Sequence, residues 1–309
     1  MNIATVTLNP AIDRNIIYEG NLAVGSLNRV RSAVVNAGGK GINVSRMLKN
    51  LGIDTHVYGF IGGQCGKMLT DMLSEEGIIS EFTETCAETR LNIKITDALS
   101  KETEINEYGG PVTKGELDLL LNTLKKTPAD IVIIGGSTPY GLGDDTVRLL
   151  VSSLKLLGKT VITDVSGQSL IEAVKARPYL IKPNKAEFCQ LLGYTPENDG
   201  YCDVAAKFYS DTGIEVILTL GSDGAFYAGR AGCYRLYNPK VKPKGFSGAG
   251  DTFLASFVYA VTSDMDIRNA LLFASAASLA KVELCGTNLP VKDEVISNLH
   301  RIKLEEYNI

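Results

Sequence analysis

The amino-acid sequence predicts an α/β fold, in which helices flank a mostly parallel sheet and a small second sheet stands off it. Short β-branched runs recur along the chain with helical patterns between them, which is the order of βαβ units. Several of these runs are apolar without alternation, as is typical of strands buried on both faces. The predicted main-sheet strands are Ile3 to Leu8, His56 to Ile61, Ile131 to Gly135, Val161 to Val165, Tyr179 to Lys182 and Val216 to Leu220.

Two of the predicted helices carry clear local signals. Asp266 is suited to act as the N-cap of an Ala-rich helix that runs toward Gly286. An earlier helix is predicted to end before Gly52, because glycine commonly terminates a helix. Its apolar face consists of Val44, Met47, Leu48 and Leu51.

Two segments, 13–36 and 88–108, alternate apolar and polar residues without helices between them. Alternation is typical of strands with one covered face and one wet face, so both segments are interpreted as a small β lid. Residues 1–12, 37–87 and 109–309 are then the main α/β domain, which binds nucleotide and substrate. Because a small sheet has exposed edges and one face it cannot bury alone, a homodimer through the lid is expected.

The composition is that of an ordinary globular protein, with 45% hydrophobic and 21% charged residues among 309. Scattered Lys and Arg residues and a net charge of −4 argue against nucleic acid or a membrane as partner and favour a small-molecule substrate. The N-terminus lacks signal-peptide features and no apolar stretch would span a membrane, so a cytoplasmic location is expected.

Metal-binding and histidine-based chemistry are not indicated by the side chains. His56 and His300 belong to no metal or triad pattern. The cysteines are far apart, with no metal-finger or redox-pair spacing, so reduced thiols are expected. They are Cys65, Cys86, Cys189, Cys202, Cys233 and Cys285.

A Gly-rich turn near the C-terminal end carries the strongest chemical signal. Gly248-Ala249-Gly250-Asp251 is followed by an apolar helical run from Phe253. Small residues leave backbone N–H groups free at a helix N-terminus, which favours a phosphate. A carboxylate inside such an anion hole fits a general base acting on an attacking hydroxyl, so phosphoryl transfer is the functional interpretation. An ordinary tight turn, with Asp251 as a first-turn acid, is the structural alternative.

A second Gly-rich element, Gly38-Gly39-Lys40-Gly41, opens the helix that contains Asn43. Glycines let a ligand approach the backbone, and Lys40 and Asn43 add a cation and an amide beside the helix N-terminus. This arrangement indicates a docking point for substrate. The spacing matches neither a Walker A loop nor a dinucleotide-binding fingerprint.

A third motif joins the end of a predicted strand to a helix through Asn184 and Glu187. An amide and a carboxylate three residues apart can hold hydrated Mg²⁺ near phosphates. A capping box with Asn184 as the N-cap explains the same pair equally well. Further on, Thr219 is followed by a turn at Gly221 and Gly224, as expected at the carboxyl edge where α/β sheets bind ligands.

Five motifs together resemble the ribokinase-like, or PfkB-type, sugar kinases, and the resemblance covers almost the whole chain. They are Thr7-Leu8-Asn9-Pro10-Ala11-Ile12-Asp13, Gly38-Gly39-Lys40-Gly41-Ile42-Asn43, Gly136-Ser137-Thr138-Pro139, Ile181-Lys182-Pro183-Asn184 and Gly248-Ala249-Gly250-Asp251. Within that family, Thr89-Arg90-Leu91-Asn92 and Glu102-Thr103-Glu104-Ile105-Asn106 are most similar to the 1-phosphofructokinases. The resemblance implies ATP-dependent phosphorylation of the 6-hydroxyl of fructose 1-phosphate with Mg²⁺ as a further ligand, and it leaves open whether a monovalent cation also binds.

The resemblance also implies a role for each candidate residue. Asp251 matches the general base, and the anion hole is formed by Gly248, Ala249 and Gly250. Positions that hold sugar hydroxyls are matched by Asp13, Gly38, Gly39 and Asn43. Positions near the sugar phosphate are matched by Arg29, Lys40, Arg90 and Ser137. The nucleotide site is matched by Lys182, Asn184, Glu187, Thr219, Gly221 and Gly224, of which Asn184 and Glu187 also match the Mg²⁺ region.

Several alternatives stay open at this point. A solvated strand cation would explain Arg29 or Arg90, and a turn cap would explain Asp13. Tagatose-6-phosphate kinase and 6-phosphofructokinase are alternatives within the family, because they need a similar acceptor site and phosphate clamp. A sensor without catalytic activity is disfavoured by the presence of Asp251 and the anion-hole glycines. The sequence does not determine which phosphosugar epimer is preferred.

Overall fold

A computed structural model of the chain describes residues 1–30, 32–99, 102–245, 247–284, 286 and 288–307. Within these residues the main sheet has ten strands. In chain order they are β1 (Ile3–Thr7), β4 (Thr55–Ile61), β5 (Ile79–Glu84), β8 (Ile131–Gly135), β9 (Thr160–Asp164), β10 (Leu180–Ile181), β11 (Glu215–Thr219), β12 (Ala225–Gly229), β13 (Gly232–Tyr237) and β14 (Lys303–Glu306). Their spatial order is β14-β13-β12-β11-β10-β9-β8-β1-β4-β5.

The seven strands from β11 to β5 in that order are all parallel to their neighbours. All six predicted main-sheet strands are present, each to within one residue at either end. The other end of the sheet was not predicted, since β12, β13 and β14 add to β11 in antiparallel fashion. A hairpin needs no crossover helix, so the alternation of strands and helices along the sequence does not reveal it.

Helices cover both faces of this sheet. They are α1 (Lys40–Asn50), α2 (Gly63–Glu75), α3 (Lys114–Leu124), α4 (Thr146–Leu156), α5 (Gln168–Lys175), α6 (Lys185–Leu192), α7 (Tyr201–Thr212), α8 (Ala249–Thr262), α9 (Ile267–Val282) and α10 (Lys292–Asn298). One hydrophobic cluster joins the sheet to α3 through α7, and a second joins it to α1, α8, α9 and α10. A third cluster packs α2 against the start of the small sheet.

The two predicted helix signals are confirmed. Helix α1 buries Val44, Met47 and Leu48, and Gly52 follows its C-terminal end with a positive φ of 89°. Asp266 is the N-cap of α9, where its Oδ1 accepts a hydrogen bond from the Asn269 amide at 2.9 Å.

The predicted small second sheet is also confirmed. It has the order β3-β2-β6-β7, with β2 (Ala11–Ile17), β3 (Ala33–Gly38), β6 (Arg90–Thr96) and β7 (Glu102–Asn106). Strand β2 is parallel to β6, with Asp13 directly opposite Asn92, and every residue of β7 is exposed. The domain boundaries given above stay a prediction.

The cysteines of the described part of the chain are free thiols, as expected for Cys65, Cys86, Cys189, Cys202 and Cys233, whereas Cys285 lies outside the described residues. No helix in that part of the chain is both long and apolar enough to cross a membrane.

Candidate active site

A cleft of about 470 Å³ lies between the carboxyl ends of the central parallel strands and the inner face of the small sheet. Parallel strands end at the same edge of a sheet, so residues far apart in sequence meet there. Most of the predicted site residues line this cleft, namely Asp13, Gly39, Lys40, Asn43, Arg90, Ser137, Lys182, Asn184, Glu187, Thr219, Gly248, Gly250 and Asp251.

Asp251 lies in the first turn of α8 and is only 7% exposed. Its Oδ2 accepts a hydrogen bond from Asn43 Nδ2 at 2.7 Å, which joins the two Gly-rich motifs. Gly248 is the N-cap with a left-handed φ of 81°, a conformation that glycine adopts without strain. No side chain caps the helix, and the first intrahelical bond runs from Thr252 N to Gly248 O. The amides of residues 249–251 therefore have no intrahelical acceptor and are suited to hold an anion.

Beneath this turn, two lysines flank one deeply buried carboxylate. Asp164, at the end of β9, is 1% exposed and has Lys40 Nζ and Lys182 Nζ each 2.9 Å from its oxygens. Burial alone would raise the pKa of Asp164, but the two lysines outweigh it and hold that pKa below the usual value. Asp164 is thus a fixed negative charge that keeps both ammonium groups in place.

Asp251 shows the opposite shift. Burial and the negative charge of Asp164 raise the pKa of Asp251, and they outweigh the hydrogen bond from Asn43 and the positive charges of Lys182 and Lys40, which lower it. In many active sites one carboxylate has a raised pKa and exchanges protons, while a second has a lowered pKa and stays ionised. In this arrangement Asp251 is the one suited to take a proton.

The capping box predicted as an alternative at Asn184 is present. Asn184 Oδ1 accepts a hydrogen bond from the backbone N–H of Glu187 at 2.8 Å, and Glu187 Oε2 accepts one from the backbone N–H of Asn184 at 2.9 Å. The other oxygen of Glu187 is 3.7 Å from Lys40 Nζ. Both side chains line the cleft as well, so capping and ligand binding are compatible.

The oxygen donors of the cleft fit a weakly held Mg²⁺. Among the described residues no group of three or more Asp, Glu, His or Cys side chains is arranged to hold a metal. Mg²⁺ is commonly bound by one or two protein oxygens together with water and substrate phosphates. Glu187 and Asn184 are oxygen-bearing side chains that line the cleft and fit that type of binding.

On the opposite wall, Asp13 is held from three directions. Its Oδ1 accepts from Asn92 Nδ2 at 2.8 Å and its Oδ2 from Lys94 Nζ at 3.0 Å. Gly38 lies against the carboxyl group, since a Cβ there would be only 2.6 Å from Asp13 Cγ. The turn-cap interpretation of Asp13 is therefore wrong, because Asp13 lies within β2 and its carboxylate joins two strands of the small sheet.

Arg90 and Ser137 form the adjoining part of that wall. The Arg90 guanidinium donates to Asn9 O at 3.0 and 3.2 Å and to Glu107 O at 3.1 Å. Ser137 Oγ accepts from Asn9 Nδ2 at 3.2 Å. Asn9 thus holds a cation and a hydroxyl next to each other, which is a suitable arrangement for a phosphate.

The structure does not bring all the predicted residues to the cleft. Arg29 is exposed on the loop between β2 and β3 and does not line the wall, so the single chain leaves it in solvent. Gly221 and Gly224 lie beyond the wall formed by Thr219. Gly224 is required for packing, because a Cβ there would lie 2.2 Å from Leu236 O. Gly38 and Ala249 do not line the cleft either.

The predicted site residues left out several that line the cleft, among them Asn9, Asn92, Lys94 and Ser247, and also the buried Asp164. Asp164 was included in a predicted strand and ends it at the carboxyl edge, a position that favours ligand contact. Asn92 and Lys94 are two residues apart on a strand and so share a face with each other. That spacing was available in the sequence and could have indicated both.

The chain is similar to known proteins in both sequence and structure. Residues 6–294 match the model of the pfkB family carbohydrate kinases. The chain is 35% identical over 289 residues to a 1-phosphofructokinase from Borreliella burgdorferi, covering 92% of this chain and 93% of the relative. A possible 1-phosphofructokinase from Thermotoga maritima is similar in structure, with a TM-score of 0.92, 26% identity and complete coverage of both chains. The tetrameric inhibited form of phosphofructokinase-2 from Escherichia coli has a TM-score of 0.89 and 25% identity, covering 97% of this chain and 98% of that one.

Proposed function

This chain belongs to the pfkB family of carbohydrate kinases, and we propose that it transfers the γ-phosphoryl group of ATP to the 6-hydroxyl of fructose 1-phosphate. The products are ADP and fructose 1,6-bisphosphate. Support for this substrate comes from the 1-phosphofructokinase relative, which the chain matches over 92% of its length. The observation that carries the chemistry is the buried Asp251 carboxylate beside the uncapped N-terminus of α8.

In the proposed reaction Asp251 accepts the proton of the sugar hydroxyl as that oxygen attacks phosphorus. The free amides at the start of α8 stabilise the charge that develops on the transferred phosphoryl group. Lys40, which the resemblance assigned to the sugar phosphate, is held by Asp164 together with Lys182 and lies 3.7 Å from Glu187, so both lysines are proposed to add positive charge on the nucleotide side. Mg²⁺, when bound near Asn184 and Glu187, supplies further neutralisation of the phosphate oxygens.

The sugar end of the cleft suits a phosphorylated acceptor. The two oxygens of Asp13 accept hydrogen bonds from Asn92 and Lys94, which fix the orientation of the carboxylate. In this orientation Asp13 is placed to accept hydrogen bonds from sugar hydroxyls. Arg90 and Ser137 are placed to hold the phosphate of the substrate. The backbone carbonyls that bind Arg90 do not neutralise its positive charge, whereas a substrate phosphate would. This charge favours a phosphosugar over a nucleoside or a free sugar.

The test is ADP release from MgATP with fructose 1-phosphate, fructose 6-phosphate, tagatose 6-phosphate and fructose, compared by kcat/KM. We expect a preference of at least about tenfold for fructose 1-phosphate, because hydrogen-bonding sites discriminate strongly between regioisomers. Fructose itself is the control for the contribution of the phosphate. Preference for a 6-phosphate would overturn the substrate, and no turnover of any of the four would overturn the kinase function.

We also propose that two copies of the chain associate through the small sheet. That sheet and the loop after β2 expose apolar side chains to solvent, including Val24 at 96%, Leu27 at 72% and Ile105 at 58%. Exposed apolar groups next to an open sheet edge favour a protein partner. Sedimentation velocity should show a dimer that Ile105→Glu dissociates. A monomer at micromolar concentration would contradict the proposal.

A further inference from the structure

Lys94 connects the sugar wall of the cleft to the anion-hole turn. It lies on β6 of the small sheet, and its side chain is only 11% exposed. Its Nζ donates to Asp13 Oδ2 at 3.0 Å and to Ser247 Oγ at 2.9 Å. Because Ser247 directly precedes Gly248, one ammonium group joins the sugar site to the N-cap of α8.

Both partners of Lys94 lie where small displacements affect the reaction. Asp13 has its other oxygen bound to Asn92, so the orientation of its carboxylate depends on two strands of the small sheet. Ser247 belongs to the turn that directs the free amides of α8 into the cleft. Among the described contacts, the hydrogen bond between Lys94 and Ser247 is the one that ties this turn to the small sheet.

We propose that Lys94 is a positioning residue that holds the sugar-binding carboxylate and the anion-hole turn in one fixed arrangement. This inference rests on the proposed kinase function and adds a residue that the sequence analysis did not identify. The ammonium neutralises Asp13 while it fixes Ser247. The two substrates therefore meet in a geometry that exists before either binds, and preorganisation of this type lowers the barrier to phosphoryl transfer.

A residue in this position affects both substrate affinity and turnover. In Lys94→Met the Asp13 carboxylate loses its cation, so the KM for the phosphosugar should rise by about tenfold to a hundredfold. The anion-hole turn also loses its connection to the small sheet, so kcat should fall as well. The KM for ATP should change little, because Lys40 and Lys182 are untouched.

The decisive experiment is a cycle of Lys94→Met and Ser247→Ala. If Lys94 acts through Ser247, then Ser247→Ala should lower kcat by about tenfold in the wild-type background and have no further effect in Lys94→Met. Lys94→Arg should retain much of the activity, since arginine keeps the charge and several donors. Lys67→Met is the matched control, because it removes an exposed cation from α2, outside the cleft and the small sheet, and should change nothing.

Equal effects of Ser247→Ala on kcat in both backgrounds would overturn the proposal. A normal kcat of Lys94→Met at saturating phosphosugar would overturn it too, because Lys94 would then only contact the substrate. A second readout does not depend on the enzyme's activity. Amide hydrogen exchange over residues 247–252 of the substrate-free protein should become faster in Lys94→Met but not in Lys94→Arg or Lys67→Met. Unchanged exchange would also overturn the linkage, whereas failure of the proposed kinase function would appear separately, as absence of turnover in the wild type.

Discussion

We expect Asp251→Asn to keep binding both substrates while its kcat falls by about a hundredfold to ten-thousandfold, the range contributed by a positioned general base. The amide has nearly the same shape as the carboxylate, so the start of α8 and the free amides should be preserved. It cannot accept the hydroxyl proton, however. The measurement is steady-state ADP release together with calorimetric binding of each substrate, since an unchanged dissociation constant separates lost chemistry from lost binding.

The pH dependence of the wild type provides a second check on the same residue. Asp251 must be ionised to act as a base, and burial together with the charge of Asp164 raises its pKa. Activity should therefore fall on acidification with a midpoint above the usual aspartate pKa. Asp164→Asn removes the repulsion and frees Lys40 and Lys182 to interact with Asp251, so it should move that midpoint to lower pH.

Asp266→Asn is the matched control for Asp251→Asn. It makes the same chemical change at another helix N-terminus, outside the cleft, and asparagine is an equally good N-cap. Its kcat should equal that of the wild type. If Asp251→Asn turned over nearly as fast as the wild type, the assignment of Asp251 as the base would be wrong.

The second large effect is expected for Arg90→Ala, which should raise the KM for the phosphosugar by about tenfold to a hundredfold and leave the KM for ATP nearly unchanged. A charge-assisted hydrogen bond to a phosphate is worth about that factor. The guanidinium is already held by the carbonyls of Asn9 and Glu107, so little ordering is needed when the phosphate binds. The measurement is the KM for each substrate at saturating levels of the other.

Arg268→Ala removes an exposed arginine from the first turn of α9 and serves as the control for loss of charge. It should alter neither KM. Unfolding followed by circular dichroism should confirm that Arg90→Ala is folded at the assay temperature. A folded Arg90→Ala enzyme with an unchanged phosphosugar KM would remove Arg90 from the phosphate site.

Much of the fold was predictable because its signals are local. The buried parallel strands are continuous β-branched runs, and Asp266 marks its helix by a cap that needs only neighbouring residues. The edge strand β14 was missed for the opposite reason. Pairing of β13 with β14 brings together residues such as Tyr237 and Lys303, and no local pattern indicates which distant strand completes a sheet edge.

The residues of the candidate site likewise fall into those that a local sequence pattern reveals and those that it does not. Asp251 and its glycines were recognisable because the chemistry of an anion hole lies within four consecutive residues. Arg29 shows the limit of this reasoning, because a cation at a suitable place in the sequence lies exposed on the loop between β2 and β3. Asn184 and Glu187 show another limit, since the same two side chains form a helix cap and line the cleft, and their spacing in the sequence does not distinguish these roles.

Composition, hydrophobic periodicity and the Gly-rich turns are enough to predict the α/β class, the main strands and Asp251 as the candidate general base, because each depends on residues close together in sequence. The charge environment of that base depends on folding. Asp164, Lys40 and Lys182 come from three distant parts of the chain, and Lys94 meets Ser247 across 153 positions. Coulombic interactions and desolvation act through space, so the pKa values and the connections of the site follow from the packing of the strands and not from their order.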